Sequence, residues 1–275
     1  IAGIISRDNR QADQGLLLTM AGELRHRGPD GTGLLMDGPA GLINTRLAII
    51  APSGGDQPIS CSSGRFWVVQ NGEIYNYLEL RTELEQLGCT FGTSSDTEVL
   101  VNAWSAWGPG CLDRLNGEFA FALWDSRDRE LFLARDRFGV RPLYLAETTA
   151  GFAFASEVRA LLRLPGLTRR ISPSAVVQTF ELWSTLPGTS AFEGVHELPG
   201  GHWLRVRPDG RRQQQRWWDL DFSSIDSSAG SAELAEELLG LLRDSVRLRT
   251  RADVQVGAYV SGGLDSSATA ALLRQ

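Results

Sequence analysis

Lysine is missing from this chain. All 27 basic residues are arginine, so catalysis through a lysine Schiff base is removed from consideration. Histidine is nearly as scarce: His26, His196 and His202 are scattered, which gives thin support to a Ser-His-Asp triad or a zinc centre. Each reads as a surface or satisfied core side chain. Cys61, Cys89 and Cys111 make an odd count without metal-ligand spacing, and such thiols read as small buried or half-buried apolar groups. No apolar run approaches membrane-spanning length, and no basic run offsets the net charge of −6, which argues against nucleic acid and anionic membranes as partners. The expectation is a soluble protein of the reducing cytoplasm.

What is present allows a substantial core. With 275 residues and 42% hydrophobic content, two domains are a reasonable prior. Between residues 119 and 156 four short runs (Phe-Ala-Phe-Ala-Leu-Trp, Glu-Leu-Phe-Leu-Ala, Pro-Leu-Tyr-Leu-Ala and Gly-Phe-Ala-Phe-Ala) predict an antiparallel meander. Residues 78–87 carry apolar side chains at helical spacing and end at Gly88. Ser95-Asp96-Thr97-Glu98 is a capping-box pattern for a helix over 97–107. Such a mixture fits a sandwich of sheets covered by helices. After a last β-like run at 201–206 come a polar stretch, 207–216, the pair Trp217-Trp218, and a serine-rich segment at 223–231 read as a linker. The division expected is 1–215, a linker over 216–230, and 231–275. In the last part Leu234, Leu238, Leu242 and Val246 line one face of a helix.

The run Ser261-Gly262-Gly263-Leu264-Asp265-Ser266-Ser267 follows an apolar stretch, 254–260, that reads as a strand. Paired glycines let a backbone turn tightly against a ligand, and the N–H groups opening the next helix favour an anion. Val260 leads into the loop, Ser261 and Ser266 add hydroxyl donors, and Asp265 can hold a magnesium ion or a loop amide. No lysine follows the glycines, so this is not a Walker loop. The run resembles the PP-loop of the ATP pyrophosphatase superfamily, which implies ATP as a ligand.

Upstream, six further motifs appear in order: 25–31 (Arg-His-Arg-Gly-Pro-Asp-Gly), 46–50 (Arg-Leu-Ala-Ile-Ile), 71–76 (Asn-Gly-Glu-Ile-Tyr-Asn), 95–98 (Ser-Asp-Thr-Glu), 116–121 (Asn-Gly-Glu-Phe-Ala-Phe) and 135–139 (Arg-Asp-Arg-Phe-Gly). Together they resemble the glutaminase domain of the glutamine-hydrolysing asparagine synthetases. The resemblance implies an α+β fold, an N-terminal-nucleophile hydrolase αββα sandwich, followed by the first elements of an α/β PP-loop domain. Taken alone, Asn71-Gly72 reads equally well as a type I′ hairpin turn. By resemblance the pair forms an oxyanion hole, Arg46 with Ile49 and Ile50 receives the glutamine α-carboxylate, and Asp96 with Glu73 receives the α-ammonium. The implied partners are glutamine and aspartate, with a homodimer possible. The implied reaction turns aspartate, glutamine and ATP into asparagine, glutamate, AMP and pyrophosphate.

The family's nucleophile is an N-terminal cysteine whose own α-amine acts as base. Here Ile1-Ala2-Gly3 aligns with the residues just inside that Cys-Gly-Ile opening, and the expectation is a fragment lacking Cys-Gly in front and most of the synthetase behind. The alternatives are a ring-closing ligase resembling β-lactam synthetases or lasso-peptide cyclases with an abandoned glutaminase, an amidotransferase acting on another carboxylate, and a catalytically dead glutamine-binding module.

Overall fold

The strands are apolar on both faces, and that pattern dictates the layering. Phe119, Phe121 and Leu123 alternate with Ala120, Ala122 and Trp124, and all six are buried, which a sheet achieves only with another layer on each side. The computed structural model describes residues 1–207, 209–223 and 230–274. In chain order its elements are β1 (Ala2–Ser6), α1 (Gln14–Leu24), β2 (Gly31–Asp37), β3 (Ala40–Arg46), β4 (Ile59–Ser60), β5 (Phe66–Ile74), α2 (Tyr77–Gln86), α3 (Asp96–Trp107), α4 (Cys111–Arg114), β6 (Gly117–Asp125), β7 (Glu130–Arg135), β8 (Tyr144–Thr148), β9 (Gly151–Ala155), α5 (Val158–Leu161), α6 (Pro173–Leu182), β10 (Val195–Glu197), β11 (His202–Val206), β12 (Arg212–Arg216), α7 (Ser231–Arg249) and α8 (Leu264–Leu273).

One antiparallel sheet has the order β10-β8-β9-β1-β3-β2, and the other β12-β11-β7-β6-β5-β4. Between them, Ala120, Ala122 and Trp124 meet Leu42, Phe152 and Phe154. On the outer side of the second sheet, Phe119, Phe121 and Leu123 pack with Leu80 and Leu84 of α2 and Val99 and Trp104 of α3. On the outer side of the first, Ile4 and Ile43 receive Leu17, Met20 and Leu24 of α1. The result is the αββα sandwich that the resemblance implied.

The meander is corrected by this layering. β6 and β7 form a hairpin in one sheet, whereas β8 and β9 form a hairpin in the other. The switch is made at the Arg135–Gly139 motif. The Asp136 carboxylate accepts from the amides of Phe119, Phe138, Val140 and Arg141, while the buried Arg135 donates to the carbonyls of Gly139, Arg141 and Leu198. A corner this well satisfied lets the chain leave one sheet without orphaned backbone groups.

Four local readings also change. Ser95 caps α3 through the Thr97 amide at 3.2 Å, but Glu98 turns away from the expected box and accepts from the amides of Gly92 and Thr93 and the Thr93 hydroxyl. The polar stretch after Val206 contains β12, an edge strand whose Arg and Gln side chains are exposed, as suits an edge that must resist further pairing. The stretch 254–260 is irregular and exposed rather than a strand. Among the described residues nothing pairs with it, and an isolated strand has no ladder to hold it. α7 forms, but Leu234, Leu238 and Leu242 on its apolar face are exposed. The linker expected at 216–230 begins inside the sandwich: Trp217 donates from its amide to Gly201 and stacks near Phe119, with ring centroids 6.4 Å apart. Residues 224–229 of that segment lie outside the described residues.

Candidate functional site

All seven residues expected to handle glutamine, Arg46, Ile49, Ile50, Asn71, Gly72, Glu73 and Asp96, line one pocket of about 150 Å³. The end of β3 supplies Arg46, the last part of β5 supplies Asn71 to Glu73, the first residue of α3 is Asp96, and the loop after β3 supplies Ile49 and Ile50. Ile1 also lines it, at the start of β1. The Ile1 nitrogen donates to the Ser156 hydroxyl at 3.0 Å.

Asn71-Gly72 lies inside β5, opposite Ala120 and Phe119 of β6, so the hairpin-turn reading is overturned. Gly72 adopts φ +123°, and a Cβ there would stand 1.9 Å from the Glu118 carbonyl oxygen, so only glycine fits. Phe119 spends its N–H and carbonyl on Asp136, which makes its pairing with Gly72 a non-hydrogen-bonded one. The Gly72 N–H therefore points out of the β5–β6 ladder. The Asn71 side-chain nitrogen is buried without a hydrogen-bond partner, a costly arrangement for a donor unless a ligand completes it.

Two carboxylates share the same wall. Asp96 accepts from Gln70 Nε2 and the Ile74 amide, each at 3.0 Å, yet burial still raises it above the ordinary carboxylate range. Glu73 is raised by burial and then by the Asp96 charge. A cation placed between them relieves both effects. Arg46 is buried, and its fork is already engaged: Nη1 donates to Pro52 O and Asp56 Oδ1, and Nη2 to Ile50 O and Ala51 O. It brings charge to the pocket and pins the loop that walls it.

Ile1, Arg27, Asn44, Gln57, Gln70, Thr97 and Arg141 also line this pocket, without being expected there from the sequence. Arg27 sits in a motif that was noticed, and Arg141 stands two residues beyond another. Gln57 carries no local signal: its side chain accepts from the Gln70 amide at 2.6 Å and the Asn44 amide group at 3.1 Å, and donates to Thr97 Oγ1 at 3.0 Å. No cysteine lines the pocket. Cys61 and Cys111 are buried and Cys89 is half-buried, and burial pushes the Cys111 thiol up to about 12.

The second candidate site is the loop before α8. Gly262 takes φ +85°, and Ser266 Oγ reaches the Ser261 amide, the Ser261 hydroxyl and the Gly263 carbonyl at 3.0–3.2 Å. Val260, Ser261, Gly262, Gly263 and Asp265 are exposed. A hydroxyl-lined turn at the N-terminus of a ten-residue helix fits a polyphosphate. Among the described residues no cluster of three or more potential metal ligands includes Asp265.

The chain is similar to known proteins along its length. The chain is 36% identical over 256 residues to asparagine synthetase (glutamine-hydrolyzing) 3 of Bacillus subtilis (strain 168), covering 92% of this chain and 41% of that protein. It is 36% identical over 258 residues to asparagine synthetase (glutamine-hydrolyzing) 1 of the same organism, covering 93% and 40%. It thus spans about two-fifths of the length of these relatives. The solved glutamine phosphoribosylpyrophosphate amidotransferase of B. subtilis, complexed with ADP and GMP, shares the fold, with a TM-score of 0.58 and 19% identity over 99% of this chain and 63% of that one. Residues 237–275 match the asparagine synthase family. Residues 1–218 match the family described as the glutamine amidotransferase domain, and the chain belongs to that family.

Proposed function

We propose that residues 1–215, together with Trp217 and Trp218, hydrolyse glutamine, and that residues 231–275 open the synthetase part of a glutamine-dependent asparagine synthetase of the cytoplasm. The observation that carries the reading is the unpartnered Asn71 nitrogen beside the outward Gly72 N–H. Two fixed donors on adjacent residues suit the oxygen that becomes negative when an amide carbonyl is attacked. Glu73 and Asp96 would receive the substrate's α-ammonium, and the Arg46 wall with Ile49 and Ile50 its α-carboxylate. The scissile amide would then lie toward Asn71.

The nucleophile in this reading is a cysteine two residues ahead of Ile1, which enters the pocket because Ile1 already lines it. Its thiolate attacks the amide carbon, ammonia leaves with the proton returned by the α-amine, and water releases glutamate from the thioester. Ammonia then passes to an activated aspartate. ATP supplies the adenylyl group for that activation, and Ser261, Gly262, Gly263 and Ser266 would hold its phosphates. Asp265 would hold magnesium jointly with those phosphates.

Glutamate release from glutamine tests this reading in the chain with Met-Cys-Gly placed ahead of Ile1, with the unextended chain as control. Activity is expected in the extended protein alone, and Asn71→Ala in that protein should lower kcat by about 10²–10³-fold with little change in KM. A folded, extended protein without activity would leave the ring-closing or dead-module readings in its place.

A further inference from the structure

The end of α7 and the segment after it meet the sandwich at three points, one of them on the loop that walls the glutamine pocket. Asp253 brackets the loop that walls it: its amide donates to Ile49 O at 3.0 Å, and its carboxylate accepts from the Ala51 amide at 2.8 Å. Arg251, almost buried, donates to the Tyr75 carbonyl at 2.7 Å and forms a two-pronged ion pair with Glu79 on α2. Arg249 lies over the Tyr75 ring and 3.4 Å from Glu118. Glu118 in turn faces the pocket residue Arg141 at 3.6 Å.

The bracketed loop is the one that Arg46 holds from inside through Ile50, Ala51 and Pro52. Ala51 is a non-glycine residue at φ +49°, a conformation that persists only where its surroundings enforce it. Asp253 and Arg46 enforce it from opposite sides. Asp253 also stands only eight residues before Ser261 of the phosphate loop.

We propose that Asp253 is a positioning residue for glutamine: it holds loop 47–57 in its binding conformation and couples the glutamine pocket to the segment that carries the phosphate loop. Arg251 anchors that segment on α2. The coupling rests on the glutamine reading above, whereas the bracket does not.

Two readouts separate these layers. In the 275-residue chain, Asp253→Ala should speed hydrogen exchange at the Ala51 amide and its loop neighbours by about tenfold or more, the loss of one charge-assisted bond, while amides in β5 and α3 keep their protection. In the Met-Cys-Gly-extended chain the same substitution should raise KM for glutamine about tenfold with kcat near that of the parent. Asp253→Asn, which keeps both the backbone N–H and an acceptor oxygen, should restore most of each effect. Unchanged exchange overturns the bracket. Faster exchange with KM within twofold of the parent overturns the coupling. An extended parent that releases no glutamate removes the glutamine reading and the coupling with it, while the exchange result still decides the bracket.

Discussion

Glu73 and Asp96 show how far a residue's environment can be turned to binding. Both carboxyls lie above the ordinary range, mainly through burial, and an ammonium between them favours their charged forms. Glutamine binding should therefore release protons, and affinity should weaken as pH falls through the raised values of the pair. Calorimetry in two buffers of different ionisation enthalpy reads that release directly. The contribution to folding has the opposite sign. The folded state holds these protons more tightly than the unfolded chain, so this part of stability is present at low pH and lost as pH rises through the same window. Asp96 was readable as a helix-opening carboxylate next to a capping serine. Its Gln70 and Ile74 partners were not, because they come from a strand more than twenty residues earlier.

At the scale of elements, local chemistry was legible wherever both partners were local. α2 ends at Gln86 before Gly88, and α3 starts after its Ser95 cap, as the residue pattern requires. β12 escaped because its Arg-Gln-Gln-Gln-Arg sequence has no apolar alternation; its pairing with β11 makes it a strand. β5 shows the limit of local reading, because Asn71-Gly72 by itself looks like a turn. The strand runs on to Ile74 because β6 continues opposite it and because a glycine fits against Glu118 where no side chain could. Gly72→Ala should accordingly cost about 3 kcal/mol, from the strained φ and the carbonyl clash together. A shift of the urea unfolding midpoint at unchanged slope would measure it.

For the whole molecule, Trp217 marks how far the sandwich extends. Its indole N–H donates to the Arg135 carbonyl at 3.3 Å, and the Arg137 guanidinium covers its ring at 5.4 Å. Trp218 meets Phe138 edge-on at 4.9 Å. α7, in contrast, presents Leu234, Leu238, Leu239, Leu241 and Leu242 to solvent and buries only Leu248 of its leucines. A chain ending at Trp218 should melt within a few degrees of the 275-residue chain, whereas one ending at Gln215 should lose about 2 kcal/mol and melt about 4–8 °C lower. Near-ultraviolet circular dichroism on heating distinguishes the two.

Composition excluded lysine chemistry, and ordered motifs, each a short run of neighbouring residues, marked the candidate glutamine and phosphate sites and the family they resemble. These are properties of local covalent order, and they survive without knowledge of which strands pair. The division of the expected meander between two sheets, the convergence of β3, β5, α3 and the 47–57 loop on one pocket, and the grip of Asp253 on that loop were decided by tertiary structure alone. Each joins groups far apart in the chain, and only the burial of both faces of both sheets brings them within hydrogen-bonding distance.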